Sequence, residues 1–121
     1  MKLAVVGSRN VPRSMYPEVE RELDSIVREH NVDHIVSGGA KGADRFGELY
    51  AIDHDLDITI YKPDWKKYGK SAGYKRNVQI ISDSDIVFAI WDGQSKGTKH
   101  SLDIAEEQGK ERIIMYFDSN L

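Results

Sequence analysis

The stretch SGGAKGAD, Ser37 to Asp44, places three glycines and two alanines in eight positions. It follows the apolar run His34–Val36 and precedes a segment of helical periodicity. So little side chain at a strand-to-helix turn means that something comes close to the backbone there, either a ligand or another part of the chain. Gly38 and Gly39 permit a positive-φ turn, and Gly42 opens a helix whose free N–H groups favour an anion. The same glycines would equally allow tight strand-to-helix packing. The spacing is neither GxGxxG nor GxxxxGK[ST]. Asp44 stands in the first helical turn, where a carboxylate complements the helix dipole.

Outward from this turn the chain alternates regularly. Short β-rich runs fall at Leu3–Val6, His34–Val36, Ile58–Tyr61, Ile86–Ile90 and Arg112–Phe117. Most are continuously apolar, as strands covered on both faces should be. Val19, Leu23, Ile26 and Val27 recur at helical spacing behind Pro17, and Ala43, Phe46, Tyr50 and Ala51 repeat the pattern. Tyr74, Val78 and Ile81 form a shorter stripe. Leu102 and Ala105 mark a last helix that Gln108-Gly109 ends. The alternation predicts one α/β domain over residues 1–121, an open, mostly parallel five-stranded sheet with helices on both faces.

Composition narrows the function classes. A formal net charge of −3 and a pI near 5.8 count against a duplex-coating protein, and against nucleic acid as a partner. There is no cysteine, and the four histidines lack ligand spacing, so neither a disulfide nor a metal site is expected, and no cofactor. No apolar run is long enough for a membrane span, and MKLAVVGSRN turns polar too early for a signal peptide. A cytoplasmic protein without membrane contact is the expectation.

In a parallel sheet, ligands bind beyond the carboxyl ends of the strands, where the strand order reverses. The loops at that edge are GSRNVPRS, SGGAKGAD, KPDWKKYGKSAGYKRN and WDGQSKGT, each rich in glycine, serine and cations. In the first, Gly7 ends the strand, Ser8 offers a hydroxyl and Arg9 a fork of donors suited to phosphate.

VVGSRNVPRS followed by IVSGGAKGADRFGELYA resembles the SLOG superfamily of Rossmann-like nucleotide-ligand proteins, which includes the DNA-processing Smf/DprA proteins. With KRN and WDGQSKGT the pattern is most similar to the small stand-alone YspA-related branch. The resemblance covers nearly the whole chain. It implies a nucleotide-derived ligand held by Gly7, Ser8, Arg9, Ser37, Gly38, Gly39, Lys41, Gly42 and Asp44 from the first two loops. From the later loops it adds Arg76, Asn77, Asp92, Gly93, Ser95, Gly97 and Thr98. It also implies self-association into a homo-oligomer.

LOG-type phosphoribohydrolases, which cleave the glycosidic bond of nucleoside monophosphates, resemble the chain in a second way. Arg76-Asn77 is similar to their RK pair, and Gly97-Thr98 to the GT of their PGGxGTxxE loop. Ser101 stands where that family has its catalytic glutamate. An oxocarbenium-like transition state needs a carboxylate, which serine does not supply. No catalytic residue is therefore expected, although Asp44, Asp92 or Asp103 could substitute.

The third loop gathers Lys66, Lys67, Lys70, Lys75 and Arg76 against Asp64, interleaved with Trp65, Tyr68 and Tyr74. Aromatics among cations suit a stacked base with its phosphate neutralised nearby, so Trp65 and Tyr68, with Lys70, join the candidate site. Trp91 can be a further pocket wall or a core residue. Three functions follow: a non-catalytic binder of a small nucleotide-derived ligand such as an ADP-ribose-type or cyclic nucleotide, a nucleotide N-glycosidase, or a single-strand nucleic-acid binder. Ser101 disfavours the second and the acidic charge the third, leaving the binder.

Overall fold

A computed structural model describes residues 1–118. The elements run β1 (Lys2–Gly7), α1 (Tyr16–His30), β2 (His34–Ser37), α2 (Ala43–Asp53), β3 (Asp57–Ile60), α3 (Trp65–Tyr68), α4 (Ala72–Ser82), β4 (Ile86–Trp91), α5 (Lys96–Glu107) and β5 (Glu111–Tyr116). The five strands are ordered β3-β2-β1-β4-β5, every pair parallel. The order reverses between β1 and β4, which opens the crevice at their carboxyl ends.

The continuous apolar strands serve two cores in alternation. Leu3 and Val5 of β1, with Ile86, Phe88 and Ile90 of β4, point to the core under α1 and α2. Ala4, Val6, Val87 and Ala89 point to the opposite core, with Ile80, Ile81, Leu102 and Ala105 from α4 and α5. Neither face is open to water, so neither can carry a polar alternation. The two edge strands are the exception: Ile58 and Ile60 of β3 are more than a third exposed, and no residue of β5 is fully buried.

α1 and α2 bury the residues their spacing predicts, including Val19, Leu23, Ile26, Phe46 and Tyr50. Asn31, in the left-handed conformation at φ 53°, ends α1. α4 differs from the expectation. Tyr74 and Val78 are exposed, and the buried face is Ala72, Arg76, Ile80 and Ile81. An arginine occupies the middle of the core-facing row, so a stripe drawn through apolar residues alone was displaced. The basic segment before it is also more ordered than a loop: α3 and a 3₁₀ turn at Gly69–Ser71 lead into α4. Asp64 caps α3, its side chain accepting from Lys67 N–H at 3.1 Å.

Candidate functional site

The crevice between the ends of β1 and β4 is a cleft of about 390 Å³. One wall is the loop after β1, Gly7 to Asn10. The opposite wall is the start of α5, with Ser95, Gly97, Thr98 and Ser101. Arg76, Asn77 and Asp44 complete it. Ser8 ties the two walls: its N–H donates to Ile90 C=O at 2.9 Å and its Oγ accepts from Asp92 N–H at 3.2 Å. No side chain caps the amino end of α5, so the first turn of this twelve-residue helix faces the cleft with its amides open.

A second compartment of about 790 Å³ adjoins the first across Arg9, Ala40 and Arg76, which line both. Its walls are Gly38, Gly39, Lys41, Lys62, Pro63 and Trp65. Trp65 is 54% exposed, an indole held on a short helix with little packing of its own.

Arg76 is the hinge of this arrangement. α4 carries it inward, and its Nη1 donates to Gly38 C=O at 2.7 Å while Nε donates to Asn77 Oδ1 at 3.2 Å. Asn77 Nδ2 in turn donates to Gly97 C=O at 3.4 Å, linking the arginine to α5. Burial pulls the guanidinium below its ordinary pKa and Arg9 adds to this, while Asp44 opposes. Asp44 is buried beside it, accepting from Ala40 N–H at 3.2 Å. Burial pushes its carboxyl up to about 6, against the pull of that N–H and of Arg76.

The glycines of SGGAKGAD now have a reason. A Cβ on Gly38 would lie 2.5 Å from Arg76 Nη1 and 2.8 Å from Asp44 Oδ2. One on Gly42, at φ +74°, would lie 2.5 Å from the Ser8 carbonyl oxygen. At both positions the close neighbour is the chain itself rather than a ligand. The start of α2 is likewise occupied: Ala43 N–H donates to Ser8 C=O at 3.2 Å. The open helix end in the cleft belongs to α5.

The expected site residues divide accordingly. Gly7, Ser8, Arg9, Asp44, Arg76, Asn77, Ser95, Gly97 and Thr98 line the first compartment, and Gly38, Gly39, Lys41 and Trp65 the second. Gly42 lies beside a neighbouring groove. Five of the expected residues lie outside both compartments. Tyr68 lines neither compartment; its ring sits under the ammonium groups of Lys67 and Lys75, at 5.1 and 4.7 Å. Lys70 is exposed on the 3₁₀ turn, outside both compartments. Ser37 is buried behind the loop, its Oγ donating to Glu48 Oε2 at 3.0 Å. Asp92 turns into its own loop, accepting from Gln94 and Ser95 N–H at 2.9 and 2.8 Å, which hold its carboxyl below the usual range. Gly93, at φ +81°, makes that turn and faces no compartment. Trp91 pins the same loop, donating from Nε1 to Ser95 C=O at 3.1 Å. Asp103 is on the outer side of α5, paired with Lys99 at 2.9 Å.

Sequence reasoning missed Asn10 and Lys62, which line the compartments. Both directly follow residues read as motif or strand, and their place at the carboxyl edge was the available signal. Among the described residues no cluster of side chains could hold a metal ion, and no helix is long and apolar enough to cross a membrane.

Comparison with known proteins agrees with this architecture. The model of the YspA, cpYpsA-related SLOG family matches residues 1–68. The Gene 61 protein of Mycobacterium phage D29 is 32% identical over 81 residues, 62% of this chain; the match spans 65% of that protein's length. Among solved structures, DNA processing protein A (DprA) from Streptococcus pneumoniae superposes with a TM-score of 0.77 at 21% identity, over 93% of this chain and 49% of that one. DprA from Helicobacter pylori superposes with a TM-score of 0.73 at 19% identity, over 99% of this chain and 69% of that one. The H. pylori structure is described by its single-stranded DNA binding mode. That overturns the expectation that set nucleic acid aside as a partner. A fold neighbour over essentially the whole chain is described as binding a single strand, and a whole-chain charge of −3 does not describe the carboxyl edge, where Arg9, Lys41, Lys62 and Arg76 line one compartment.

Proposed function

The chain belongs to the YspA, cpYpsA-related SLOG family, and from that membership we propose that its two-compartment cleft binds a nucleotide without transforming it. The observation that carries this reading is the composition of the walls. Hydroxyls, amides, two arginines and the open start of α5 converge on the first compartment, with Asp44 as its one carboxylate. Such a set of donors suits a phosphate. Trp65 and Lys62 in the second compartment suit a base and a further anionic group. Arg9 and Arg76 face both compartments and would hold the group that joins the two parts of the ligand. A nucleotide-derived small molecule of the ADP-ribose type fits that division.

The binder is favoured over the N-glycosidase by the wall at Ser101. A buried serine stands where the resembling hydrolases carry their glutamate. Asp92 is satisfied within its loop, and Asp103 faces away. Binding without differential stabilisation of a transition state does not lower a barrier. The test is calorimetric titration with ADP-ribose and with cyclic nucleotides, followed by chromatography of the mixture. Binding with ligand returned intact is expected. Multiple-turnover release of free base, lost in Arg76→Ala, would overturn the binder reading.

A second reading is that the nucleotide belongs to a single strand. The DNA-binding description of the H. pylori neighbour favours it, as does the absence of side-chain ion pairs at Arg9, Lys41 and Lys62 among the described residues.

A further inference from the structure

Beside the cleft, between the turn at Arg13–Met15 and the first turns of α2, lies a separate groove of about 480 Å³. Arg9, Arg13, Lys41 and Arg45 rim it, and no carboxylate lines it. The side chains of all four cations are without an ion pair or hydrogen bond among the described residues. Phe46 and Leu49 contribute apolar surface, Leu49 being 38% exposed. Four unpaired cations on one concave surface repel one another, and in a chain of net charge −3 they are not a by-product of composition. Arg9 and Lys41 line this groove and also the compartment that holds Trp65, so the two concavities form one track.

We propose that this groove is a second phosphate-binding site, one that holds the backbone of a single-stranded nucleic acid while a neighbouring nucleotide occupies the cleft. The inference rests on the strand reading given above. Each arginine offers a planar fork that matches a phosphate, and an apolar floor between cations suits sugar and base. A continuous track extending past one nucleotide's compartment needs a ligand with phosphates at regular intervals, which a mononucleotide lacks. A base that reaches Trp65 inside the compartment is unpaired, so the polyanion is single-stranded rather than duplex.

Arg13 and Arg45 line the groove and neither compartment, and both are exposed, so their removal leaves the cleft and the fold intact. The experiment compares wild type with the double variant Arg13→Gln/Arg45→Gln. Fluorescence titrations would use a short oligothymidylate, the same sequence as duplex, and thymidine monophosphate, each over a series of salt concentrations. For single strands each neutralised phosphate contributes about 0.7 to the slope of log K against log salt, so losing two contacts should flatten it by about 1.4. Strand affinity should fall about tenfold or more at moderate salt, with the monophosphate unaffected. An unchanged slope and affinity for the strand in the double variant would overturn the groove. So would a wild type that binds the monophosphate as tightly as the strand, or the duplex as tightly as the single strand; both leave the cleft reading standing. A wild type that binds neither the strand nor the monophosphate overturns the strand reading together with the groove.

Discussion

Asp44 gives the sharpest quantitative prediction. Its carboxyl is buried in the cleft floor and pushed up to about 6 from an ordinary value of 3.8, desolvation outweighing the Ala40 N–H and Arg76. At a pH below about 4 the folded and unfolded chains both carry it protonated, and it contributes no pH dependence. Between about pH 4 and 6 the unfolded chain releases its proton while the folded chain keeps it, so stability declines as pH rises. A difference of about two pKa units corresponds to about 3 kcal/mol, lost in full once the folded carboxyl is also ionised. Asp44→Asn keeps an oxygen to accept from Ala40 N–H and removes the ionisation. Urea denaturation of both proteins from about pH 4 to about pH 7.5 should therefore show the variant gaining about 3 kcal/mol relative to wild type across that range. Asp83 and Asp92, whose pKa values lie below the ordinary range, give the opposite slope in both proteins and cancel in the difference. A difference between the two proteins that stays flat with pH would refute a buried, strained carboxylate at this position. The same variant should bind ADP-ribose more tightly at neutral pH, because one negative charge has left an anion cleft.

Arg76→Met should cost about 2 kcal/mol of stability by leaving the Gly38 carbonyl without its charged donor, and should abolish calorimetric nucleotide binding. Gly42→Ala, with a methyl against the Ser8 carbonyl at positive φ, should destabilise by about 3 kcal/mol in chemical denaturation. Gly97→Ala meets nothing within 4 Å at the start of α5 and should be neutral or stabilise by up to about 1 kcal/mol. Trp65→Ala should leave the melting temperature nearly unchanged and weaken nucleotide binding by about 1–3 kcal/mol. Tyr68→Ala, outside both compartments, should change neither.

The sheet was legible because strand burial writes itself directly into composition. Leu3–Val6 and Ile86–Ile90 are apolar at every position since two cores share them, and the only connections that join parallel neighbours are helices. The site was legible as a set of loops, because parallel topology sends every β-to-α loop to the same edge. What periodicity could not reveal was a polar residue in a core-facing row. Arg76 is buried because Gly38 offers it a carbonyl thirty-eight residues away, a pairing absent from any local window. The same pairing bears on the two readings that SGGAKGAD left open. Its glycines make room for Arg76, Asp44 and the Ser8 carbonyl, and a sequence does not say whether the close neighbour will be ligand or protein. Tyr68 and Lys70 lie outside the compartments for a related reason: α3 and the 3₁₀ turn rotate consecutive residues to different sides, and of Trp65, Tyr68 and Lys70 it is Trp65 that lines the compartment.

Net charge misled most, and the sheet shows why. The amino ends of the strands gather acids: Asp33 before β2, Asp57 opening β3, Asp83 and Asp85 before β4, Glu111 opening β5. Several are engaged there, Asp83 with Lys2 at 2.9 Å and Asp33 with the chain's amino terminus at 3.3 Å. The carboxyl ends carry Arg9, Lys41, Lys62 and Arg76, none in an ion pair among the described residues. A parallel sheet puts all the starts on one side and all the ends on the other, so these acids and these cations collect at opposite edges, with Lys2 and Lys110 also at the amino edge and Asp44, Asp64 and Asp92 at the carboxyl edge. The formal charge of −3 averages both edges and does not describe either one. If the ligand is anionic, as proposed, the unpaired cations of the carboxyl edge should steer it toward the cleft. Because Arg9, Lys41, Lys62 and Arg76 are in no ion pair among the described residues, added salt should slow association with an anionic ligand even though protein and ligand carry net charge of the same sign.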